Sequence, residues 1–325
     1  MGPLWVRYES AMSPIEAWIW PLRNYYIVIW NPKLISIKTM KHFFLSLFAV
    51  LLLFVACKQR NDSMTEKTDV ELPPCSVINE MDDMVVYTIT DRISSMSIDL
   101  FKGSYDDSLL SQLMPEGESR SAINVFFIKT TGYYCGGKHN ILIDAGLGED
   151  AGGMMLQQLH KLRVNTEEID AVCLTHLHGD HIGGLLKDGK AVFPNADVYL
   201  SVDEFNAWSD DGPMASRNDQ WKQVLSVYSN RIKLCNDGDT IVDGWVVAHL
   251  APGHTPGHTM YESGLCLFIG DLVHAQDIQY AYPEFCARYD NNPAQAVETR
   301  KRVLSTMEGR YLCGAHCYDQ KMLTR

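Results

Sequence analysis

From about residue 84 onward, short apolar runs alternate with polar stretches rich in turn residues. Val85-Val86-Tyr87-Thr88-Ile89-Thr90 alternates and is rich in β-formers, which predicts a strand. Asn124 to Lys129 and Asn140 to Ile143 predict two more, with Gly132 and Gly136-Gly137 between them. Ala171-Val172-Cys173-Leu174, Ala196 to Leu200, Trp245 to Leu250, Leu265 to Ile269 and Tyr311 to Cys313 are further strand-like runs. Apolar residues fall at helical spacing over Met154 to Leu162, Val202 to Trp208, Gln220 to Tyr228 and Pro293 to Met307. Ser209 to Asn218 reads as a polar loop, and Trp208 and Trp221 beside it read as packing aromatics or as walls of an apolar substrate pocket.

The first part of the chain has a different texture. Residues 1–39 carry Trp5, Trp18, Trp20 and Trp30 among scattered prolines without a clear period, and are expected to be an upstream extension outside the fold. Met40-Lys41-His42 precedes the apolar run Phe43 to Ala56, and then comes Cys57. That run is short for a membrane span and suits an export signal behind a positive region. Val55-Ala56-Cys57 resembles a bacterial lipobox, so residues 40–57 are expected to be an export and lipoprotein signal, with an uncleaved anchor helix as the alternative. Residues 58–83 are expected to be a flexible tether and residues 84–325 the folded domain. The partners expected are thus a membrane, reached through an N-terminal lipid anchor on the exported side, and a small-molecule substrate.

Composition narrows the remaining choices. A hydrophobic fraction of 46% supports a sizeable core. A formal charge of −12 with no basic run argues against nucleic acid as a partner. Among the cysteines, Cys173, Cys266 and Cys313 sit inside apolar runs and read as small buried hydrophobes.

The chemistry concentrates in Thr175-His176-Leu177-His178-Gly179-Asp180-His181-Ile182-Gly183-Gly184. In an extended backbone, residues two apart point the same way, so His176 and His178 can aim at one metal ion. Asp180 and His181 follow the turn at Gly179 and can aim at a second. Neutral imidazole and carboxylate suit zinc and neighbouring divalent metals such as manganese, iron and cobalt. Two ions need more ligands than one loop supplies. Pro252-Gly253-His254-Thr255-Pro256-Gly257-His258, then Gly270-Asp271, then Gly314-Ala315-His316 each lie just past a strand-like run.

This ordered set, His-x-His-x-Asp-His, Pro-Gly-His, Gly-Asp and a last His, resembles the metallo-β-lactamase superfamily over roughly Val125 to His316. Gly270-Asp271-Leu272-Val273-His274, Asn292-Pro293-Ala294-Gln295-Ala296 and Thr299-Arg300 look most like its methyl parathion hydrolase and lactonase-like branch. The resemblance implies an α/β fold of four layers, two mixed β-sheets with helices on both outer faces. It implies one metal site from His176, His178 and His254, a second from Asp180, His181 and His316, and Asp271 as the bridge. It also implies a hydroxide shared by two divalent ions, most simply zinc, that attacks a lactone, ester or phosphotriester. Asp180 is expected to hold the nucleophile and take its proton. His274 is expected to face the substrate as an acid or hydrogen-bond donor, and His258 to support the ligands from behind. Asp144, in Asp144-Ala145-Gly146, is expected to brace the metal loop without touching metal. Cys317 could ligate, though the oxygen and nitrogen donors already fill the site. Where relatives continue past the last ligand with an aromatic loop, this chain has Cys317-Tyr318-Asp319. A β-lactam hydrolase, an iron-dependent oxidoreductase of the same fold and a non-catalytic ligand-binding lipoprotein remain alternatives.

Overall fold

The computed structural model describes residues 4–8, 15–22, 25–30, 75–81, 83–132, 137–306 and 309–322. The chain divides into two units, Met1–Val70 and Glu71–Arg325. In the first, Leu4–Tyr8, Ile15–Leu22 and Tyr25–Trp30 form a three-stranded antiparallel sheet. The sequence reading expected no element there. Aromatic and β-branched residues dominate these segments, which favours strands even without a clean alternation. The proposed signal at residues 40–57 lies outside the described residues. Among the described residues no helix is long and apolar enough to cross a membrane.

The second unit is built on two mixed sheets whose strands follow chain order. The first runs β1 (Cys75–Met81), β2 (Met84–Ser97), β3 (Glu118–Thr130), β4 (Asn140–Ile143), β5 (Ala171–Cys173), β6 (Asp197–Ser201) and β7 (Ile232–Cys235). Strands β1 to β4 pair antiparallel and β4 to β7 parallel. The second runs β8 (Thr240–Ile241), β9 (Val246–Leu250), β10 (Thr259–Ser263), β11 (Cys266–Gly270), β12 (Tyr311–Gly314) and β13 (Lys321–Met322), antiparallel except for β11 with β12. Strand β1 corrects the expected tether over 58–83. Only Cys75, Val77, Ile78 and Met81 are apolar there, and pairing with β2, with Ile78 against the core between the sheets, makes the strand.

The period of two along the strands sorts side chains into layers. Phe126 and Ile128 of β3 face Phe268 and Cys266 of β11 across the space between the sheets, with Val246, Tyr261 and Cys313. The alternate residues Val125 and Phe127 point outward and pack with Leu142, Val172 and Leu200 beneath α1 (Met155–Lys161) and α2 (Asp219–Tyr228). On the second sheet, Leu267 and Ile269 point the other way, onto Val303 of α3 (Pro293–Thr306). The result is the four-layer α/β sandwich, helices outside and sheets inside. Trp208 and Trp221 are 2% exposed within the outer core, so both are packing aromatics rather than pocket walls. Cys173, Cys266 and Cys313 are buried between the sheets.

One irregularity matters for the site. The pairing of β2 with β3 shifts between Thr90 and Arg92. Asp91 falls in that bulge, fully buried, and accepts from Leu147 N at 2.9 Å and Met155 N at 2.6 Å. It thereby ties down the loop that follows Asp144.

Candidate metal centre

The parallel strand β5 ends at Cys173, and the chain then turns along the sheet edge. His176 follows, and His178, in extended backbone, opens a single helical turn, Gly179–Ile182. Gly183 and Gly184 come next because a side chain there would meet Leu147 O at 2.1 Å or Ala145 O at 2.0 Å. This close packing fixes Asp180 and His181 against the rest of the edge. From the second sheet, His254 lies in the β9–β10 turn, Asp271 directly follows β11 and His316 follows β12. Gly270 adopts φ +50, and a Cβ on it would meet His258 Nε2 at 2.6 Å and Thr175 Cβ at 2.9 Å. No other residue lets the three loops meet so closely.

These loops bring the expected residues into one cluster. His176, His178, His254 and Asp271 offer ligand atoms all within 4.8 Å of one another, and so do Asp180, His181 and His316. Asp271 reaches both groups. Its Oδ2 lies 3.2 Å from His254 Nε2 and 3.2 Å from His316 Nε2, while Oδ1 lies 3.1 Å from His181 Nε2. His178 Nδ1 stands 2.9 Å from both His176 Nε2 and His254 Nε2.

Two of these converging buried atoms, His181 Nε2 and Asp271 Oδ1, lack a hydrogen bond. Buried polar atoms are otherwise satisfied almost everywhere in folded proteins. Convergent imidazole nitrogens and carboxylate oxygens without partners fit divalent cations. Charge agrees. Burial, with help from neighbouring imidazoles, presses His176 far below its usual pKa and His178 down to about 3, which keeps both neutral as a metal requires. Burial alone would also depress His181 and His316, but Asp271 and its neighbours reverse this and raise both. In the metal-free site protons thus stand where cations belong. Burial would raise Asp271, and the imidazoles of His316, His181, His176 and His254 instead hold it well below the usual carboxylate range.

The surroundings hold the cluster in shape. Asp144, at φ +62, accepts from Thr175 N at 2.8 Å and lies 2.8 Å from His181 Nδ1, so it braces the loop and fixes that ring. Asp271 N donates to His258 Nε2 at 3.1 Å, which puts His258 behind the bridge. His274 was expected to face the substrate, but it is fully buried. Its ring stacks on His316 with centroids 5.5 Å apart, and Nε2 lies 3.4 Å from Asp271 Oδ2. Gln279 holds it there by accepting from His274 N and Ala275 N. Cys317 is buried against Tyr280, outside the clusters of ligand atoms.

Besides Asp91, sequence reasoning missed two buried carboxylates. Asp290 lies 3.0 Å from His254 Nδ1 and is backed by the fully buried Arg300, whose Nη2 is 3.4 Å from Asp290 Oδ2. Glu204 accepts from Leu177 N, Trp208 Nε1, Thr255 Oγ1 and Gly257 N at 2.7 to 3.1 Å, and so ties the metal loop to the His254 turn. Gly257 is required beside it, since a Cβ would meet Glu204 N at 1.9 Å. Neither carboxylate sits in a local motif, and only their distant partners give them away.

The cluster forms the floor of an open cleft of about 420 Å³. His178, Asp180, His254, Asp271 and His316 lie at its base, with Ser94, Ser95, Met96, Ile123, Arg217 and Tyr289 around the sides.

Known proteins share this fold. The structure resembles hydrolase AbOPH of the beta lactamase superfamily with a TM-score of 0.67 and 30% identity, covering 76% of this chain and 91% of that one. It resembles AidC, a dizinc quorum-quenching lactonase, with a TM-score of 0.64 and 24% identity over 75% of this chain and 91% of that one, a likeness of fold alone. By sequence, the hydroxyacylglutathione hydrolase of Aeromonas salmonicida is 30% identical over 189 residues, 55% of this chain and 58% of that protein. That of Edwardsiella ictaluri is 28% identical over 174 residues, 53% of this chain and 57% of its own length. The chain thus spans little more than half the length of these curated relatives. The family description of the metallo-beta-lactamase superfamily matches residues 120–316, from β3 to the last histidine of the cluster. Fold, ordered ligand loops and family match agree, and the chain belongs to the metallo-beta-lactamase superfamily.

Proposed function

We propose that this protein is a hydrolase that uses two divalent metal ions, most simply zinc, to cleave an ester-like bond in a lactone, ester or phosphotriester. The observation that carries the reading is Asp271. One buried carboxylate reaches ring nitrogens of both ligand groups, as a shared ligand of a paired-ion site must. His176, His178 and His254 would hold one ion, and Asp180, His181 and His316 the other. Ions bound there would supply Lewis acidity and an acidified water as nucleophile.

The chain's own groups do the rest. Asp180 remains partly exposed at the cleft. Burial would raise its pKa, but His181 and His316 bring it below the usual carboxylate value, so it is ionised at neutral pH. It can orient the attacking water and take a proton on Oδ2. His274, fully buried with Nε2 3.4 Å from Asp271 Oδ2, would help position that carboxylate. The buried floor excludes bulk water from one side of the reacting group. The lactonase-like branch is favoured over β-lactam hydrolysis by the resemblance of Gly270-Asp271-Leu272-Val273-His274 to that branch. The thioester hydrolases among the sequence relatives fit the same chemistry.

The test is metal analysis of the purified protein beside hydrolysis of a small panel of lactones, esters and a phosphotriester. Two ions per chain and turnover that chelation removes and zinc restores are expected. One ion or none, or no hydrolysis of any member of the panel by the fully loaded protein, would overturn the proposal.

A further inference from the structure

We infer that the cleft takes a substrate with an anionic group, a carboxylate or its equivalent, held by Arg217. The inference rests on the hydrolase reading for its substrate class, but the anion subsite is observable without turnover. Arg217 is the only Lys or Arg among the residues that line the cleft over the cluster. It ends the short turn Ala215–Arg217 in the loop between the first-sheet strands β6 and β7.

That loop is not a loose flap. Met214 is 3% exposed in the outer core, and its N donates to Ala207 O at 2.9 Å. Asn218, on the other side of Arg217, is buried and donates from Nδ2 to Trp208 O at 3.0 Å. Trp208 in turn lies edge-on to the His178 ring, with centroids 5.6 Å apart. The anchor of Arg217 is therefore the same packing that supports a ligand histidine.

The guanidinium itself is unpaired. Among the described residues its side chain has no carboxylate or hydrogen-bond partner. Other cations, Lys161, Arg163 and Arg231 among them, also lack a carboxylate, and what sets the exposed Arg217 apart is its place on the wall of the cleft. Asp210 lies in the same loop, yet it pairs with Lys222 at 2.6 Å and with Asn218 at 3.3 Å. A planar fork of donors left free at a cleft wall suits a carboxylate, which it can bind through two parallel hydrogen bonds. With cations held by the His/Asp cluster, the cleft would be positive at its floor as well as its wall, inside an otherwise acidic protein. Such a local reversal of charge draws small anions inward.

The experiment uses two succinate esters of para-nitrophenol, one with its second carboxyl free and one with it methylated, on the metal-loaded protein. The wild type should favour the free carboxylate. Arg217→Gln should lower kcat/KM for that ester by at least about tenfold, chiefly through KM, and leave the methylated ester unchanged. Arg217→Lys should recover part of the loss. In parallel, succinate binding to the loaded wild type and Arg217→Gln is measured by titration calorimetry, with a thermal melt as the fold control. If neither ester is cleaved but succinate binds at least about tenfold more weakly to Arg217→Gln, the anion subsite stands, and the hydrolase proposal is decided by the lactone, ester and phosphotriester panel. If the ester preference and the succinate affinity are both unchanged in Arg217→Gln, the inference is wrong, whatever the enzyme hydrolyses.

Discussion

Two buried carboxylates a few loops apart are treated in opposite ways. Glu204 is enclosed by four neutral donors, two of them backbone amides and none of them charged. Burial raises its pKa, and those hydrogen bonds only partly offset the rise. Asp271 meets imidazoles on every side, has Oδ1 without a hydrogen bond, and is held well below the usual range. The first region is closed, because the protein satisfies its own polar atoms. The second is open, because the protein supplies donor atoms and leaves the middle for something else. A knot of the first kind stabilises a fold, and a cluster of the second kind costs stability until a cation fills it.

The sharpest test of this contrast is Asp271→Ala. Metal occupancy should fall toward one ion per chain, turnover should drop by at least about two to three orders of magnitude, and the fold should survive. Metal analysis, kinetics and circular dichroism on the purified variant check it. Retention of two tightly bound ions with near-parental turnover would sink the paired-ion reading.

Glu204→Ala should do the reverse. It leaves buried amides and the Trp208 indole without an acceptor, at a cost of about 2–4 kcal/mol in unfolding free energy. The folded fraction should still bind two ions. Denaturant melts beside metal analysis decide; a variant as stable as the parent would show that the knot is not what holds the two loops together.

The smallest expected effect is a change in pH profile. His178 and His258, both at about 3, take up protons more readily in the unfolded chain, so metal-free stability should fall as pH drops below about 6.5. His181 and His316 are raised, so the stability they lend is complete below about 6.5 and is lost as pH rises through their folded values. The metal-free protein should therefore melt highest near about pH 6.5. Bound ions should abolish the alkaline loss, because they replace those protons. Identical melting profiles with and without ions across pH 5–9, about the accessible range, would close the open centre.

The sequence showed the open region far better than the closed one. His176, His178, Asp180 and His181 are neighbours, and His254, Asp271 and His316 each follow an apolar run, so strand ends alone pointed to a common edge. The four layers came from the family resemblance, and the structure shows how the uniformly apolar Val125-Phe126-Phe127-Ile128 serves two cores in turn. Asp290, Glu204 and Asp91 were not legible. Each works through backbone or ring atoms far away in the chain, and an isolated acidic residue looks like surface. The edge strand Cys75–Met81 was hidden because pairing with β2 makes it and few of its residues are apolar. The burial of His274 was not legible either, because spacing along a turn does not say how deeply a side chain sits.

Each ligand group draws on both sheets. His176, His178, Asp180 and His181 follow a strand of the first, while His254, Asp271 and His316 belong to the second. Each proposed ion would thus be a rivet through the sandwich. Free ion then sets how firmly the halves stay joined, and each tenfold rise above the dissociation constant adds about 1.4 kcal/mol against their separation. Scarcity of metal would stop turnover and, in the same stroke, loosen the body that carries the site.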